Sequence, residues 1–338
     1  MNESVYTTTK KIVMSGIRPT GYLHLGNYFG AIRNYVKMQD EFECYFMVAD
    51  LHSLTTHPDT KALKNNVYRV IAENVACGLN PHKAAFYCQS HVKATTELYL
   101  YLNMLAYMGE LEKTVTFKEK ARQNPQNVNV GLLTYPVLQA ADILLHRASY
   151  VPVGKDQEQH LEMARTFANR FNYRYGNILP EPHAFNYNQA LVKVPSLDGT
   201  GKMSKSENQA ATLYLADDDD TIRTKIKKIK TDAGPTTIDS EMPADIDNLF
   251  SLMHLVCDTQ KVQKYLADYN QMNIRYGDLK KDLAEDMVQF ITPIRQKAAD
   301  LMHDEKAIKN IMEIGAAKAN KSAAITINLV RQAMGLEY

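Results

Sequence analysis

Three apolar runs, each closed by a turn and followed by a segment of helical period, fix the fold class of the first half of the chain. They are "KIVMSGI" (residues 11–17), "CYFMVAD" (44–50) and "AAFYCQS" (84–90). The second run has no polar alternation, which marks a strand buried on both faces and so a parallel sheet. Helical periods fill the gaps, from about Leu25 to Gln39, over 60–77, and twice between 94 and 120. "YVPVG" (150–154) reads as a further strand and 156–171 as a further helix. Strands alternating with helices predict an α/β fold with a doubly wound parallel sheet, whose ligands bind outside the carboxyl ends of the strands. Beyond about residue 210 the pattern is almost entirely helical. At 338 residues the chain is long enough for two domains. We expect an α/β domain over 1–206 and an all-helical domain over 207–338, with the last helix able to pack back on the first.

Composition excludes several classes. Formal net charge is +1, so no global field favours nucleic acid, and any such contact must come from local patches. Cys44, Cys77, Cys88 and Cys257 are scattered without CxxC spacing, which argues against a zinc site and fits free thiols in a reducing cytoplasm. The opening "MNESVYTTTKK" lacks an apolar signal core, and no run approaches a membrane span. "TIRTKIKKIK" (221–230) places Ile222, Ile226 and Ile229 on one face, and the acidic Asp217–Asp220 run before it suits a helix start.

Two polar segments carry the chemistry. "SGIRPTGYLHLGNYFGAI" (15–32) follows the first strand. Gly16, Pro19 and Gly21 make a bend there, and Gly26 falls at a helix start, where unpaired N–H groups and the dipole favour phosphate. His24 and Asn27 stand three apart on that turn and can donate to phosphate oxygens. "GTGKMSKSEN" (199–208) is too polar for a core, and its glycines would let a lysine-bearing loop close. Asp142 sits in the apolar "AADILL"; a carboxylate there is costly unless paired, so it serves either as a helix cap or as a ligand acceptor. Asp156 and His160 share a helix face, a spacing better suited to hydrogen bonding than to metal, since no third ligand is evident.

His24-Leu25-Gly26-Asn27 near the first strand and Lys202–Ser206 ("KMSKS") after the last resemble the two signatures of class I aminoacyl-tRNA synthetases. Asn27 departs from the HIGH form in the manner of the tryptophanyl and tyrosyl branch. "VADLHSLT" (48–55), "GELEKTVTFKEK" (109–120), "LLTYPVLQAADILL" (132–145) and "VPVGKDQEQHLE" (151–162) extend the resemblance, over essentially the whole chain, to bacterial tryptophanyl-tRNA synthetases.

That resemblance implies a Rossmann-like domain that activates L-tryptophan with MgATP, and a helical domain that reads the anticodon region of tRNA(Trp). It also implies a homodimer. By resemblance, Asp142 receives the indole N–H, and Tyr135, His52, Gln157 and Gln139 shape the amino-acid pocket. Arg18, Pro19, Thr20, His24, Gly26 and Asn27 contact ATP. Gly154 and Asp156 hold its ribose, Lys155 between them belongs to the ATP site, and Val194 and Met203 lie at the adenine. Lys202 and Lys205 serve the phosphates, Ser204 and Ser206 of the same loop belong to the ATP site, and Lys120 is a third lysine at the pyrophosphate end; Lys202, Lys205, Lys120 and Asn27 are the catalytic candidates. Arg18 stands where many relatives have Gln, and Gln139 where some have Met. An indole has one donor and no acceptor, which suits a carboxylate. A phenol would also donate to Asp142, so a tyrosyl enzyme stays open on this residue. A nucleotidylyltransferase that makes a coenzyme, and a non-catalytic paralogue, stay open beside it.

Overall fold

The computed structural model describes residues 10–338 apart from 153, 155–157, 186, 188–191 and 205–207. Among the described residues, five parallel strands form one sheet in the order β3-β2-β1-β4-β5. They are β1 (Ile12–Ile17), β2 (Glu43–Val48), β3 (Ala85–Cys88), β4 (Tyr150–Val151) and β5 (His183–Ala184). The first three coincide with the apolar runs. Ile12 to Ile17 pair in register with Glu43 to Val48. Among the described residues of the 150–154 run, Tyr150–Val151 form the strand and Pro152 and Gly154 lie outside it. The two-residue β5 is exposed and carries no apolar signal.

Alternate residues of the central strands feed cores on opposite faces, the period-two consequence of the pleat. Tyr45, Met47, Ala85 and Tyr87 pack with helices Lys93–Asn103, Val130–Leu145 and Glu158–Tyr175. Cys44, Phe46, Val48 and Phe86 pack with Arg33–Glu41 and Thr60–Ala76. The sheet is therefore doubly wound.

A third core gathers the helices Asp219–Lys227, Ala244–Val256, Thr259–Asn270 and Tyr276–His303. Ile222, Ile226 and Ile229 point into it, and Asp218 caps the first of these helices by accepting from Thr221 N–H at 2.7 Å. The same core includes Leu25, Phe29 and Met203, so it reaches both polar motifs.

The last helix, Glu305–Met334, supplies Ile308, Ile311 and Met312 to one face of the sheet and Ala319, Ala323 and Ile327 to the other. It thus passes the β3 end of the sheet and covers an edge that would otherwise template further pairing. Gly315 makes this approach possible, because a Cβ there would lie 1.8 Å from the Phe86 carbonyl oxygen.

Candidate active site

Strand order reverses between β1 and β4, and at such a point the carboxyl ends of a parallel sheet leave a crevice. Among the described residues, two adjoining cavities open there. The larger, about 640 Å³, is lined by Arg18, Thr20, His24, Gly26, Asn27, Lys202, Met203 and Ser204, among others. The smaller, about 450 Å³, is lined by His52, Lys120, Tyr135, Gln139, Asp142 and His160 among others. Gly16 and Arg18 belong to both walls, so the cavities adjoin at the end of β1.

The larger cavity is built by a clamp between segments distant in sequence. Leu25 N–H donates to the Leu213 carbonyl and Leu215 N–H to the Leu23 carbonyl, both at 2.9 Å. This ties residues 23–25 to the chain just past the lysine loop. The loop itself starts as a hairpin, with Met203 N–H donating to Val194 at 2.8 Å and Ser196 N–H to Gly201 at 2.8 Å. Gly199 (φ 75°) and Gly201 (φ 132°) take the backbone conformations this turn needs. Asp198 locks it by accepting from Ser196, Thr200 and Asn208, bonds that hold its carboxyl well below the usual range.

His24 precedes the helix Leu25–Asn27, which widens into a π turn at Tyr28–Ile32 and continues as Arg33–Glu41. Its N–H donates to Asn27 Oδ1 at 3.0 Å. Asn27 thereby spends its acceptor locally and keeps its amide donors for a ligand. Gly26 is buried, and a Cβ there would stand 2.9 Å from the His24 ring. Glu73, buried on the helix Thr60–Ala76, accepts from Leu23 N–H at 2.9 Å and fixes the approach to this turn. Pro19 is buried, while Arg18, Thr20 and Lys202 are exposed at the cavity wall. Val194 is buried in the hairpin stem, and Gly154 follows β4. Lys155, Asp156, Gln157, Lys205 and Ser206 lie outside the described residues.

The smaller cavity has a polar floor. Asp142 is 2% exposed and lies in the last two turns of the helix Val130–Leu145. It does not cap a helix start, as one reading of the sequence allowed; Asn129 does, through Leu132 N–H. His52 Nε2 lies 2.9 Å from Asp142 Oδ2. Gln89, which sequence reasoning missed, donates from Nε2 to Oδ1 at 2.8 Å and to Oδ2 at 2.9 Å. Burial pushes the Asp142 carboxyl upward, and the bonds from His52 and Gln89 oppose that shift.

At the carboxyl cap of the same helix, buried His146 stacks on Tyr45 at 4.3 Å. Its Nε2 lies 2.8 Å from the Tyr87 hydroxyl and its Nδ1 3.2 Å from Ser322 Oγ on the last helix. Burial lowers its pKa to about 3, which keeps the ring neutral. Also in the cavity lining, His160 Nε2 lies 2.8 Å from Thr116 Oγ1 and 2.9 Å from the Tyr135 hydroxyl, joining three helices. Lys120 Nζ stands 4.4 Å from the Tyr135 ring centroid, and burial with the Arg18 charge lowers its pKa.

A cationic, glycine-lined cavity next to an apolar one with an anionic floor suits joining a nucleotide to a small amphipathic carboxylic acid. The sequence model of the tRNA synthetases class I (W and Y) matches residues 7–292. The tryptophan–tRNA ligase of Porphyromonas gingivalis is 54% identical over 96% of this chain and 98% of its own. That of Prochlorococcus marinus is 40% identical over 97% and 98%. Among solved structures, a tryptophanyl-tRNA synthetase from Campylobacter jejuni complexed with ADP and tryptophan superposes with a TM-score of 0.87. It is 33% identical, over 96% of this chain and 100% of that one.

Proposed function

The chain belongs to the class I tRNA synthetases of the tryptophan and tyrosine branch, within them to the bacterial tryptophan–tRNA ligases, and from that premise we propose how its residues carry the reaction. The enzyme activates L-tryptophan with ATP and transfers it to tRNA(Trp). The observation that carries our reading is the shared wall. Gly16 and Arg18 border both cavities, so an amino acid in the smaller one and a nucleotide in the larger one meet at the end of β1.

In this reading the indole lies against Tyr135 and donates its N–H to Asp142, with His52 and Gln139 completing the wall. The tryptophan carboxylate then attacks the α-phosphate in line, forming an O–P bond as the bond to pyrophosphate breaks. The tRNA's terminal ribose hydroxyl next attacks the aminoacyl carbonyl, and AMP leaves. No side-chain nucleophile is required. The protein's contribution is alignment and countering the charge that develops on the leaving phosphates. Lys202, Lys120 and Arg18 supply positive charge, and the Asn27 amide and the backbone at Gly26 supply donors. Val194 and Met203 shape the adenine end. Roles for Lys155, Asp156, Gln157, Lys205 and Ser206 rest on resemblance alone. Magnesium enters with ATP as substrate. No carboxylate is among the described residues of the larger wall, which suits an ion whose ligands are phosphates.

We take residues 1–206 as the catalytic domain and 207–338 as the part that reads the anticodon region. We further propose a cytoplasmic homodimer. Four free cysteines support the compartment. Leu100, Met104, Tyr107, Met108 and Val130, each more than half exposed on neighbouring segments, support a self-association face. No helix among the described residues is long and apolar enough to cross a membrane. Pyrophosphate exchange measured with each of the twenty amino acids tests the reading. Tryptophan alone should drive it, and exchange driven by tyrosine instead would sink the pocket assignment.

A further inference from the structure

Gln89 is fully buried just past β3 and is absent from the walls of both cavities. Its two polar atoms are nevertheless committed. Oε1 accepts from the His52 backbone N–H at 3.3 Å. A backbone N–H only donates, so this bond fixes which end of the amide faces which way. The NH₂ group is thereby aimed at Asp142, where it reaches both carboxylate oxygens. An amide nitrogen can neither accept a proton nor turn into an acceptor here. Gln89 thus matches an ionised Asp142, whose two oxygens both accept, whereas a carboxylic acid gives up acceptor capacity on the oxygen that carries the proton.

Other groups around Asp142 pull in both directions. His52 favours the anion, Asp50 disfavours it, and the Tyr87 phenol faces it from β3. Arg18, Lys120 and His160 line the same cavity, and His146 caps the carboxyl end of the Asp142 helix. Among these, Gln89 is the neutral group that touches both carboxylate oxygens.

We propose that Gln89 is a positioning residue for substrate selection, holding Asp142 as an oriented, acceptor-only anion so that ligands without a ring N–H are rejected. The proposal rests on the reading that Asp142 receives the indole N–H. Its force comes from asymmetry. A ligand lacking the donor leaves a buried charged acceptor unpaired, which is penalised more than an ordinary missing contact. Were Asp142 protonated, that penalty would fade, and the pocket would accept any bicyclic side chain of the right size.

The test compares tryptophan with β-(3-benzothienyl)alanine, in which sulfur replaces the ring N–H, by kcat/KM for adenylate formation between about pH 6 and pH 9. The full-length protein is used as wild type, Gln89→Met, Gln89→Glu and Asp142→Asn, with near-ultraviolet circular dichroism as the fold control. Wild type should prefer tryptophan at every pH. In Gln89→Met the preference should fall by about tenfold or more at the acid end and recover as pH rises. In Gln89→Glu two adjacent carboxylates share a proton, so the loss should persist to higher pH. If Gln89→Met does not fold, Gln89→Glu decides alone, since it keeps an acceptor for the His52 N–H. Folded Gln89 variants with wild-type preference at all pH values would overturn the proposal. A wild type that accepts the sulfur isostere, or an Asp142→Asn variant that still rejects it, would instead remove the Asp142 reading beneath it.

Discussion

Lys120 and Tyr135 form a cation–π pair in the wall of the smaller cavity, the ammonium 4.4 Å from the ring centroid. Burial and the nearby Arg18 hold the lysine below its ordinary pKa. A lysine with a lowered pKa loses its charge earlier as pH rises. If that charge meets the departing pyrophosphate, the alkaline limb of the adenylation rate should fall at lower pH than an ordinary lysine would give. Lys120→Arg, which stays charged, should move that limb upward. Lys120→Met should cut kcat more than it raises KM for tryptophan. A pH–rate profile unchanged in both variants would contradict the role.

Asp142→Asn keeps the shape of the cavity floor but replaces a charged acceptor. It should weaken tryptophan binding by roughly 1.5–3 kcal/mol, with selectivity against phenylalanine falling in step. Calorimetric titration with both amino acids checks this, and unchanged affinity would refute the acceptor role.

His146 predicts a feature of acid stability. Its folded pKa is depressed to about 3, so between about 6.5 and 3 the unfolded chain binds a proton that the folded chain refuses. Stability should therefore fall with falling pH across that window, by about 1.4 kcal/mol per unit from this group. Urea unfolding of wild type and His146→Gln at several pH values should show a slope shallower by about one proton in the variant. Equal slopes would mean the ring titrates normally.

Gly315 and Gly277 make a matched pair. A methyl at Gly315 meets the Phe86 carbonyl oxygen at 1.8 Å, whereas one at Gly277 meets nothing within 4 Å. Gly315→Ala should cost at least about 3 kcal/mol, because backbone faces backbone and neither can give way. Gly277→Ala should be close to neutral. Comparable midpoints of urea unfolding for the two variants would show that the last helix does not press on the sheet as described.

These cases also mark what the sequence could and could not reveal. Strands β1 to β3 were legible because burial on both faces demands unbroken apolar runs such as "CYFMVAD". The two-residue β5, exposed at the edge, needs no such run and left no trace. The polar motifs at His24–Asn27 and Lys202–Ser204 were legible from their residue types, and the fold sets their described members around one cavity. The clamp that joins them, between residues 23–25 and 213–215, is a non-local backbone pairing with no side-chain signature. Gln89, Glu73 and His146 were invisible for a related reason. Each is a polar residue paired through a distant element, and local pattern gives no hint of such a partner. Asp142 was visible as an anomaly in an apolar run, but its place late in a helix had to come from the fold.

The most direct test of tryptophan as the ligand of the smaller cavity uses an absence in the composition. The chain has 20 tyrosines and no tryptophan, so a bound substrate would be the only indole present. Held beside Tyr135 in the smaller cavity, it should accept energy from excited tyrosines. Titrating tryptophan while exciting tyrosine should quench tyrosine emission and raise indole emission, saturating at one equivalent per cavity. The same titration should fail in Asp142→Asn at concentrations that saturate wild type. Transfer no greater than that from tryptophan mixed with an unrelated tyrosine-only protein would contradict the account.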